Sequence, residues 1–315
     1  MDLKNKKILF ELDKNSRASY SQIARATKIS QETVRYRVNL LNEQVIQRYL
    51  TILNATRLGF SFYQLMLKLQ NVDQVKKNNI IDYLKESNKV AWIGDLEGNY
   101  DITFILYIRN QLELQEFMDE LFNKYNKYIM KKNVSINLNA EFFNRDYLIN
   151  KERVASKKVS YKSYKEVIEL GEIDEKICKA LCKDSRINSI ELAKEIKVSS
   201  DTILQRLKKL RKEGVILGFN IILNQEKINQ LHYKILLYLN NSGSEEKLLS
   251  SIRLNNRVIA IVKKLAEWDY EVDLEVENVN QLKEFTMSLS NEFSNVIRDY
   301  ELLRIINMPK YTFYP

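Results

Sequence analysis

The sequence contains few of the residues that cross-link a chain, bind metals or break secondary structure. Its 315 residues include two cysteines, two prolines, seven glycines and one histidine. Two cysteines cannot form the disulfide framework of a small secreted domain. One histidine, His232, together with Cys178 and Cys182, is too few for the usual zinc sites, so we expect no metal and no cofactor. No run of about eighteen apolar residues occurs, which predicts no transmembrane helix and no membrane partner.

The beginning of the chain lacks the pattern of a signal peptide. In the segment MDLKNKKILFELDKNSR, charged residues interrupt the apolar run. We therefore expect a cytoplasmic protein. The cysteines lie four residues apart in a predicted helix, where we expect them to pack beside a core as small apolar residues.

The composition is that of a folded, basic protein. Hydrophobic residues make up 45% of the chain, and charges are interspersed rather than grouped in blocks. The length predicts at least two domains. A net charge of +9 favours an anionic partner without identifying it.

One stretch occurs twice, around Arg17 to Ile46 and again around Arg186 to Ile216. Superposing Arg17 on Arg186 aligns Ala24 with Ala193 and Ser30 with Ser199. In each copy, apolar residues recur at helical spacing on both sides of a short break. The serine at position 30 or 199 precedes the second helical run, where it can cap a helix. Each copy therefore predicts a helix-turn-helix, although Lys28 and Lys197 occupy the turn position that glycine often holds.

After each helix-turn-helix the hydrophobic period changes to that of strands. The order strand, helix, two strands, helix, strand predicts a ferredoxin-like sandwich, whose uncovered sheet face must be hidden by another surface. The fold class is α+β, a tandem duplication of a winged-helix-like helix-turn-helix domain plus a ferredoxin-like βαββαβ sandwich. The predicted limits are 1–54 and 171–224 for the helix-turn-helix domains, 55–143 and 225–315 for the sandwiches, and 144–170 for a linker.

The linker is strongly basic. Its cations are Lys151, Arg153, Lys157, Lys158, Lys162 and Lys165. A solvated connector is one interpretation, and an arm that contacts phosphates is the other.

The two copies carry a D/N-S-R-x-S motif followed by an apolar residue and alanine. The residues are Asn15, Ser16, Arg17, Ser19, Ile23 and Ala24, and then Asp184, Ser185, Arg186, Ser189, Leu192 and Ala193. With a G-x-Y-D turn in the first sandwich, this pattern resembles the Lrp/AsnC family of transcription regulators. The resemblance covers nearly the whole chain twice. It implies double-stranded DNA as the partner, assembly into homo-oligomers through the sandwich domains, and a chain that acts as a covalent pseudo-dimer.

If the second helix of each motif enters a major groove, its outward side chains face base edges. The candidates for DNA contact are Ser30, Gln31, Glu32, Arg35, Tyr36, Arg37 and Asn39 in the first copy, and Ser199, Ser200, Asp201, Gln205, Arg206, Lys208 and Lys209 in the second. Arg35 aligns with Leu204 and Tyr36 with Gln205, which predicts an asymmetric DNA site. Arg17, Arg37, Arg186 and Arg206 suit either phosphate contacts or salt bridges within a domain.

The resemblance also implies a small effector, such as an amino acid, near the G-x-Y-D turn. The candidate residues are Gly94, Gly98, Asn99, Tyr100 and Asp101. A plain hairpin turn is the alternative interpretation. The second copy has no glycine at the corresponding turn, which argues against an effector there.

Two alternatives remain open at this stage. Siroheme decarboxylases share this two-domain plan, but His232 is the only histidine available for such chemistry, and we favour the interpretation that it is half-buried by packing in a strand. The other alternative is an architectural protein that wraps DNA with little base recognition. We expect no catalytic residues and hence no enzyme.

Overall fold

Two copies of one element order follow each other along the chain. The computed structural model describes residues 1–154, 159–162, 166–240 and 244–314. The first helix-turn-helix domain consists of α1 (Leu3–Lys14), α2 (Tyr20–Thr27), α3 (Gln31–Gln44) and the strand β1 (Ile46–Leu53). The first sandwich follows with β2 (Ser61–Leu69), α4 (Gln74–Glu86), β3 (Val90–Glu97), β4 (Ile102–Ile108), α5 (Gln111–Tyr125) and β5 (Ile129–Phe142).

A short strand, β6 (Val159–Lys162), leads to the second unit. Its helix-turn-helix domain contains α6 (Glu172–Lys183), α7 (Ser189–Ile196), α8 (Ser200–Lys212) and β7 (Ile216–Leu223). Its sandwich contains β8 (Leu231–Leu239), α9 (Glu245–Leu254), β9 (Val258–Leu265), β10 (Tyr270–Val276), α10 (Val279–Glu292) and β11 (Ile297–Tyr311). The predicted α+β class and duplication are confirmed. No helix in the described part of the chain is long and apolar enough to cross a bilayer.

The two sandwiches join into one closed, antiparallel barrel. The strand order is β2-β4-β3-β11-β8-β10-β9-β5, and β5 also pairs with β2, which closes the circuit. β5 and β11 connect the two halves: Phe142 pairs with Ala260, and Tyr311 pairs with Trp92. The sequence predicts these strands over residues 134–143 and 296–306, so β5 begins earlier and β11 ends later than predicted. The sheet face that we expected to be hidden is therefore the inside of this barrel.

The outer face of each half of the barrel is covered by its own two helices. On the first half, Leu84 of α4 and Phe117 of α5 pack on strand residues such as Phe104. On the second half, Ile252 of α9 and Leu282 of α10 pack on Val272. These apolar layers bury the outer face of the barrel strands.

The helix-turn-helix domains are interleaved rather than separate. The core of the first domain includes Ile221 and Leu223 of β7. The core of the second includes Leu50 and Ile52 of β1. Each domain therefore depends on a strand of the other unit for part of its core.

The segment predicted as a basic linker is partly packed. Tyr147 and Leu148 are buried against the first helix-turn-helix core, and Arg153 donates to Asp146 at 2.7 Å. Residues 159–162 form β6, which pairs with β5 beyond the end of β2. This part of the chain is therefore not a fully solvated connector, because its apolar residues complete a core. Lys157, Lys158 and Lys165 lie outside the described residues.

Candidate nucleic-acid interface

The second helix of each helix-turn-helix begins at a serine cap and presents a polar face to solvent. Ser30 accepts a hydrogen bond from the backbone N–H of Thr33, and Ser199 accepts one from Thr202. The apolar side of these helices is buried through Val34 and Ile203. Most of the predicted contact residues are exposed, namely Ser30, Gln31, Glu32, Arg35, Tyr36, Asn39, Ser199, Asp201, Gln205, Lys208 and Lys209, while Ser200 is half-buried. A duplex can therefore reach these side chains.

The turn between the two helices accepts a side chain in the left-handed region. Lys28 has φ +57° and Lys197 has φ +64°, and each ends the preceding helix. This conformation normally favours glycine, because a Cβ atom crowds the neighbouring carbonyl oxygen. Both lysines are exposed. The turn thus carries a cation one residue before Ile29 or Val198, close in sequence to the cap of the exposed helix.

Three of the predicted contact residues form ion pairs within their own domain, and one of them is Lys209, which lies 3.9 Å from Asp174. Arg37 lies 2.6 Å from Asp2, and Arg206 lies 3.2 Å from Asp174. These pairs connect the exposed helix to the first helix of its domain. The side chains retain 23% and 39% exposure, so part of each guanidinium faces solvent.

Arg17 and Arg186 contact the unit to which they do not belong. Arg17 donates to the carbonyl oxygens of Ser185 and Ile187 at 2.5 and 2.8 Å. Arg186 donates reciprocally to the carbonyl oxygen of Ser16 at 2.9 Å. Both arginines therefore join the two units, and among the described residues neither forms a salt bridge within its domain.

The two helix-turn-helix domains are related by a pseudo-twofold axis. The hydroxyl groups of the equivalent residues Ser16 and Ser185 lie 2.5 Å apart in a buried contact. In the antiparallel pair of β1 and β7, Leu50 pairs with Asn220, its own equivalent. Residues can meet their equivalents only on the symmetry axis. The axis therefore passes between the two domains, as in a twofold dimer.

Most residues of the candidate effector turn pack within the chain. Gly98 has φ +138°, and a Cβ there would approach Leu303 at 3.0 Å. A Cβ on Gly94 would meet the ring of Trp92 at 2.7 Å. Asp101 accepts from the backbone N–H of Leu69 at 2.7 Å, and Asp269 accepts from Leu239 in the same way. Tyr100 is buried in the barrel, and Asn99 is exposed.

The barrel interior holds a charged cluster that the sequence analysis missed. Lys234 lies 2.9 Å from Glu271 and 3.0 Å from Asp273, and His232 Nε2 lies 3.1 Å from Asp273. Burial opposes the charge of Asp273, but Lys234 and His232 outweigh it and lower the pKa of this carboxyl to about 2. The pattern Glu271, Asp273, Glu275 on β10 would have revealed the cluster if compared with the lysines of β8 and β9 on the same face.

Lys264 reaches across the barrel to the first half. Its amine donates to Gln64 at 2.8 Å and to Asn137, and it lies 3.3 Å from Glu271. Burial lowers its pKa to about 8, although Glu271 opposes that shift. The partners of this amine are therefore side-chain amides in the first half of the barrel and a carboxylate in the second half.

Arg145 connects the barrel to the first helix of the chain. It donates to Glu275 at 2.9 and 3.0 Å and to Asp13 of α1 at 2.6 Å. Burial would lower the pKa of Arg145, but Glu275 and Asp13 raise it well above its ordinary value. The sequence analysis assigned Arg145 to the linker. Its buried partners were not predicted, because a single arginine in a sequence does not indicate which carboxylates it contacts.

Neither cysteine is placed for metal binding or redox chemistry. Cys178 and Cys182 are free and buried in the second helix-turn-helix core, and burial raises the pKa of both thiols. Across residues 1–154, 159–162, 166–240 and 244–314, no group of three or more His, Cys, Asp or Glu side chains is arranged to hold a metal ion.

Comparison with known protein families matches both helix-turn-helix regions. The AsnC-type helix-turn-helix domain matches residues 1–42, and a winged helix-turn-helix DNA-binding domain matches residues 170–216. The sandwich regions lie outside these two matches.

Single proteins match about one unit of this chain. An uncharacterized HTH-type transcriptional regulator of Pyrococcus abyssi is 34% identical over 119 residues, which cover 37% of this chain and 79% of that protein. Another, of Pyrococcus horikoshii, is 31% identical over 121 residues and covers 38% and 80%. The HTH-type transcriptional regulator FL11 of Pyrococcus abyssi is 28% identical over 118 residues and covers 38% and 78%.

Solved structures of a siroheme decarboxylase match nearly the whole chain. The siroheme decarboxylase NirDL superposes with a TM-score of 0.62 over 99% of this chain and 93% of its own, at 13% identity. At that identity the likeness concerns the fold alone. The family matches and the relatives at 31% and 34% identity carry the assignment. This chain belongs to the Lrp/AsnC family of helix-turn-helix transcription regulators, with two family units fused in tandem.

Proposed function

We propose that one chain binds one DNA site as a covalent pseudo-dimer, with α3 and α8 in major grooves. The pairing of Leu50 with Asn220 carries this proposal, because it gives the two domains the twofold relation that paired half-sites require. We also propose that the chain is divided into the five segments predicted above and that it is located in the cytoplasm.

The base-contacting residues differ between the two helices. In the first, Gln31 suits adenine and Arg35 suits guanine, because their donors and acceptors match those base edges. In the second helix, Leu204 aligns with Arg35, and Gln205 is the side chain with an amide that can reach a base edge. We therefore propose half-sites of unequal sequence. The remaining proposed contacts are Ser30, Glu32, Tyr36, Asn39, Ser199, Ser200 and Asp201.

Phosphate contacts come from the exposed cations beside these helices. Lys208 and Lys209 are exposed on α8, and Lys28 and Lys197 are exposed at the turns. Arg37 and Arg206 are further candidates through the solvent-facing part of each guanidinium. Each phosphate contact releases a counterion, so affinity should fall steeply as salt rises.

Two substitutions test the roles of these residues. Arg35→Ala should relax the sequence preference at one base pair, at a cost of about 1–3 kcal/mol against the preferred site. Lys208→Ala should weaken all sequences alike and reduce the salt slope by roughly one. Gel-shift titrations with preferred and scrambled duplexes at several salt concentrations measure both effects. If the two variants behave identically and neither shows sequence preference, the architectural alternative replaces this proposal.

A small effector such as an amino acid near residues 94–101 is a second part of the proposal. Asn99 is exposed at this turn, beside the glycine at position 98. Because the turn lies at the end of the barrel strands, a ligand there would affect homo-oligomer contacts between sandwich domains. Calorimetric titration of the twenty amino acids into the full chain, with Asn99→Ala as the comparison, tests this part. Equal heats for both proteins would rule it out.

The enzymatic alternative has one specific observation in its favour, the fold shared with NirDL over 99% of the chain. We propose that the chain is not an enzyme, since its sole histidine is buried and held by Asp273. Incubation with siroheme followed by an absorption spectrum tests this statement. A converted tetrapyrrole would establish catalysis.

A further inference from the structure

A basic recess of about 570 Å³ lies on the surface of the first helix-turn-helix domain, beside α3. Three consecutive helices contribute cations to its walls. Lys4 and Lys7 belong to α1, Lys28 ends α2, and Arg37 belongs to α3. The recess is distinct from the barrel and from the turn at residues 94–101.

The charges in the recess are unbalanced. Its four cations face one carboxylate, that of Asp2, which caps α1 and lies 2.6 Å from Arg37. Lys4, Lys7 and Lys28 are exposed, and within the described part of the chain none of the three forms an ion pair. A concave surface with charges of one sign concentrates the electric field. The recess therefore attracts an anion.

The positions of Lys4 and Lys7 are unfavourable for the helix that carries them. A helix carries partial positive charge at its beginning, so acidic residues are favoured there and lysines are not. The first turn of α1 contains no acidic residue, whereas Glu172, Asp174 and Glu175 occupy the first turn of α6. Lys4 and Lys7 also repel each other, because residues three apart lie on one helix face. Such departures from local preference are expected at functional sites.

The second helix-turn-helix domain differs at the aligned positions. The repeat aligns Lys4 with Ile173 and Lys7 with Lys176. Lys176 lies 2.6 Å from Glu172, so its charge is already compensated. The pair of unpaired lysines is therefore a property of the first domain.

The place of the recess indicates which anion it receives. Arg37 lies on the side of α3 that faces α1, to whose first turn it is joined through Asp2. When a recognition helix occupies a major groove, the helices packed beside it face the sugar–phosphate backbone. The chemistry that fits four cations at such a place is a phosphate group.

We propose that this recess holds a phosphate group of the DNA backbone next to the first half-site, and that Lys4 and Lys7 donate charge-assisted hydrogen bonds to it. This inference rests on the proposed binding of DNA through α3. Because the second domain lacks the lysine pair, these phosphate contacts lie on one side of the DNA site. A free phosphate ion offers the same oxygens, so the test includes both sources.

The first experiment measures the salt dependence of DNA binding with the full chain and a duplex that the wild type selects from a random pool. The double variant Lys4→Ala with Lys7→Ala loses two phosphate contacts, which should reduce the salt slope by roughly two. Raising the salt from about 50 to 200 mM should then weaken the variant roughly tenfold less than the wild type. Lys247→Ala with Lys283→Ala removes two exposed lysines from α9 and α10 and should keep the wild-type slope.

The second experiment locates the phosphate. Single uncharged methylphosphonate linkages are placed in turn along the selected duplex. One or two positions beside the first half-site should weaken the wild type but leave the Lys4→Ala, Lys7→Ala variant nearly unchanged, because their partners are already absent. Positions beside the second half-site should weaken both proteins equally.

The outcomes separate this inference from the proposed function. If the double variant keeps the wild-type slope, or if every methylphosphonate weakens both proteins equally, the recess does not contact DNA, although α3 and α8 still bind it. If the wild type selects no duplex, both proposals fail. Calorimetric titration of inorganic phosphate into the full chain tests the other source. Saturable binding that the double variant lacks, together with an unchanged salt slope for DNA, would assign the recess to a free anion and overturn the proposal.

Discussion

At the scale of single residues, the buried charges of the barrel were the hardest feature to predict. Glu271, Asp273 and Glu275 alternate with apolar residues along β10, a pattern that is typical of a half-solvated strand. They face inward because the second sheet closes over them, and this closure depends on pairing between distant strands. By contrast, the caps Ser30 and Ser199 act on their own helices, so the sequence alone identified them.

The contact of Arg145 with Asp13 and Glu275 leads to a stability prediction. Arg145→Met should lower the free energy of unfolding by about 3–5 kcal/mol, because two buried carboxylates lose their cation. Arg304→Met is the matched control, since Arg304 pairs with Glu97 at the surface with 41% and 66% exposure and should cost less than about 1 kcal/mol. Urea denaturation of both variants measures the difference. Similar losses for the two would contradict a buried role for Arg145.

The lowered pKa of Lys264 predicts that the free energy of unfolding rises at alkaline pH. Its pKa is about 8 in the folded chain, below the ordinary value of 10.5. Between these two pH values the unfolded chain holds the proton and the folded chain has lost it. The free energy of unfolding therefore increases with pH in this window, by up to about 1.4 kcal/mol per pH unit. Below pH 8 Lys264 is charged in the folded chain as well, so the free energy of unfolding is lowered by the full cost of burying this charge.

The comparison that isolates this effect is wild type against Lys264→Met at pH 8, 9 and 10. The stability of the wild type should rise relative to that of the variant across the series. A constant difference would mean that Lys264 keeps its ordinary pKa in the folded chain.

At the scale of elements, local sequence was sufficient for most bounds. The period of Ile8, Leu9 and Leu12 predicted α1 from residue 3 to residue 14, which is where it lies. The strands β5 and β11 extend beyond the predicted bounds, because residues such as Lys132 and Lys310 pair with strands that are distant in sequence. The amphipathic pattern that guided the prediction does not report such pairing.

The left-handed turn at Lys28 supplies a prediction for one element. Lys28→Gly should stabilise the chain by about 1 kcal/mol, because glycine adopts φ +57° without crowding its Cβ. Arg25→Gly, in the exposed face of the preceding helix α2, should destabilise it by about 1 kcal/mol. Thermal denaturation of both variants checks the opposite signs. Loss of stability in Lys28→Gly would show that the lysine side chain contributes more than its backbone conformation costs.

At the scale of the whole molecule, the duplicated plan was readable from the repeat, but the way in which the copies interlock was not. The repeat aligns Ser16 with Ser185 and Leu50 with Asn220. Nothing in the sequence indicates that aligned residues also touch, because that contact depends on the symmetry between the units.

A designed cross-link tests this symmetry. Changing both Ser16 and Ser185 to cysteine should produce a disulfide within one chain under oxidising conditions, since the two hydroxyl oxygens are 2.5 Å apart. The closed loop should raise the free energy of unfolding by up to about 5 kcal/mol relative to the reduced form. Mass spectrometry and denaturation with and without reductant measure both effects, and Ser16→Cys alone is the control. The native Cys178 and Cys182 keep their thiols in either case, so four free thiols after oxidation, instead of two, would place the axis elsewhere.

Joining both units on one polypeptide has an evolutionary consequence. In a homodimer every mutation arrives twice, and a residue on the axis must be compatible with a copy of itself. Here Leu50 lies opposite Asn220, and each gene position alters only one side of the assembly. The two halves can therefore drift apart, one keeping a DNA-recognition pattern while the other acquires a new one, and the complex needs no second molecule to form even at very low abundance.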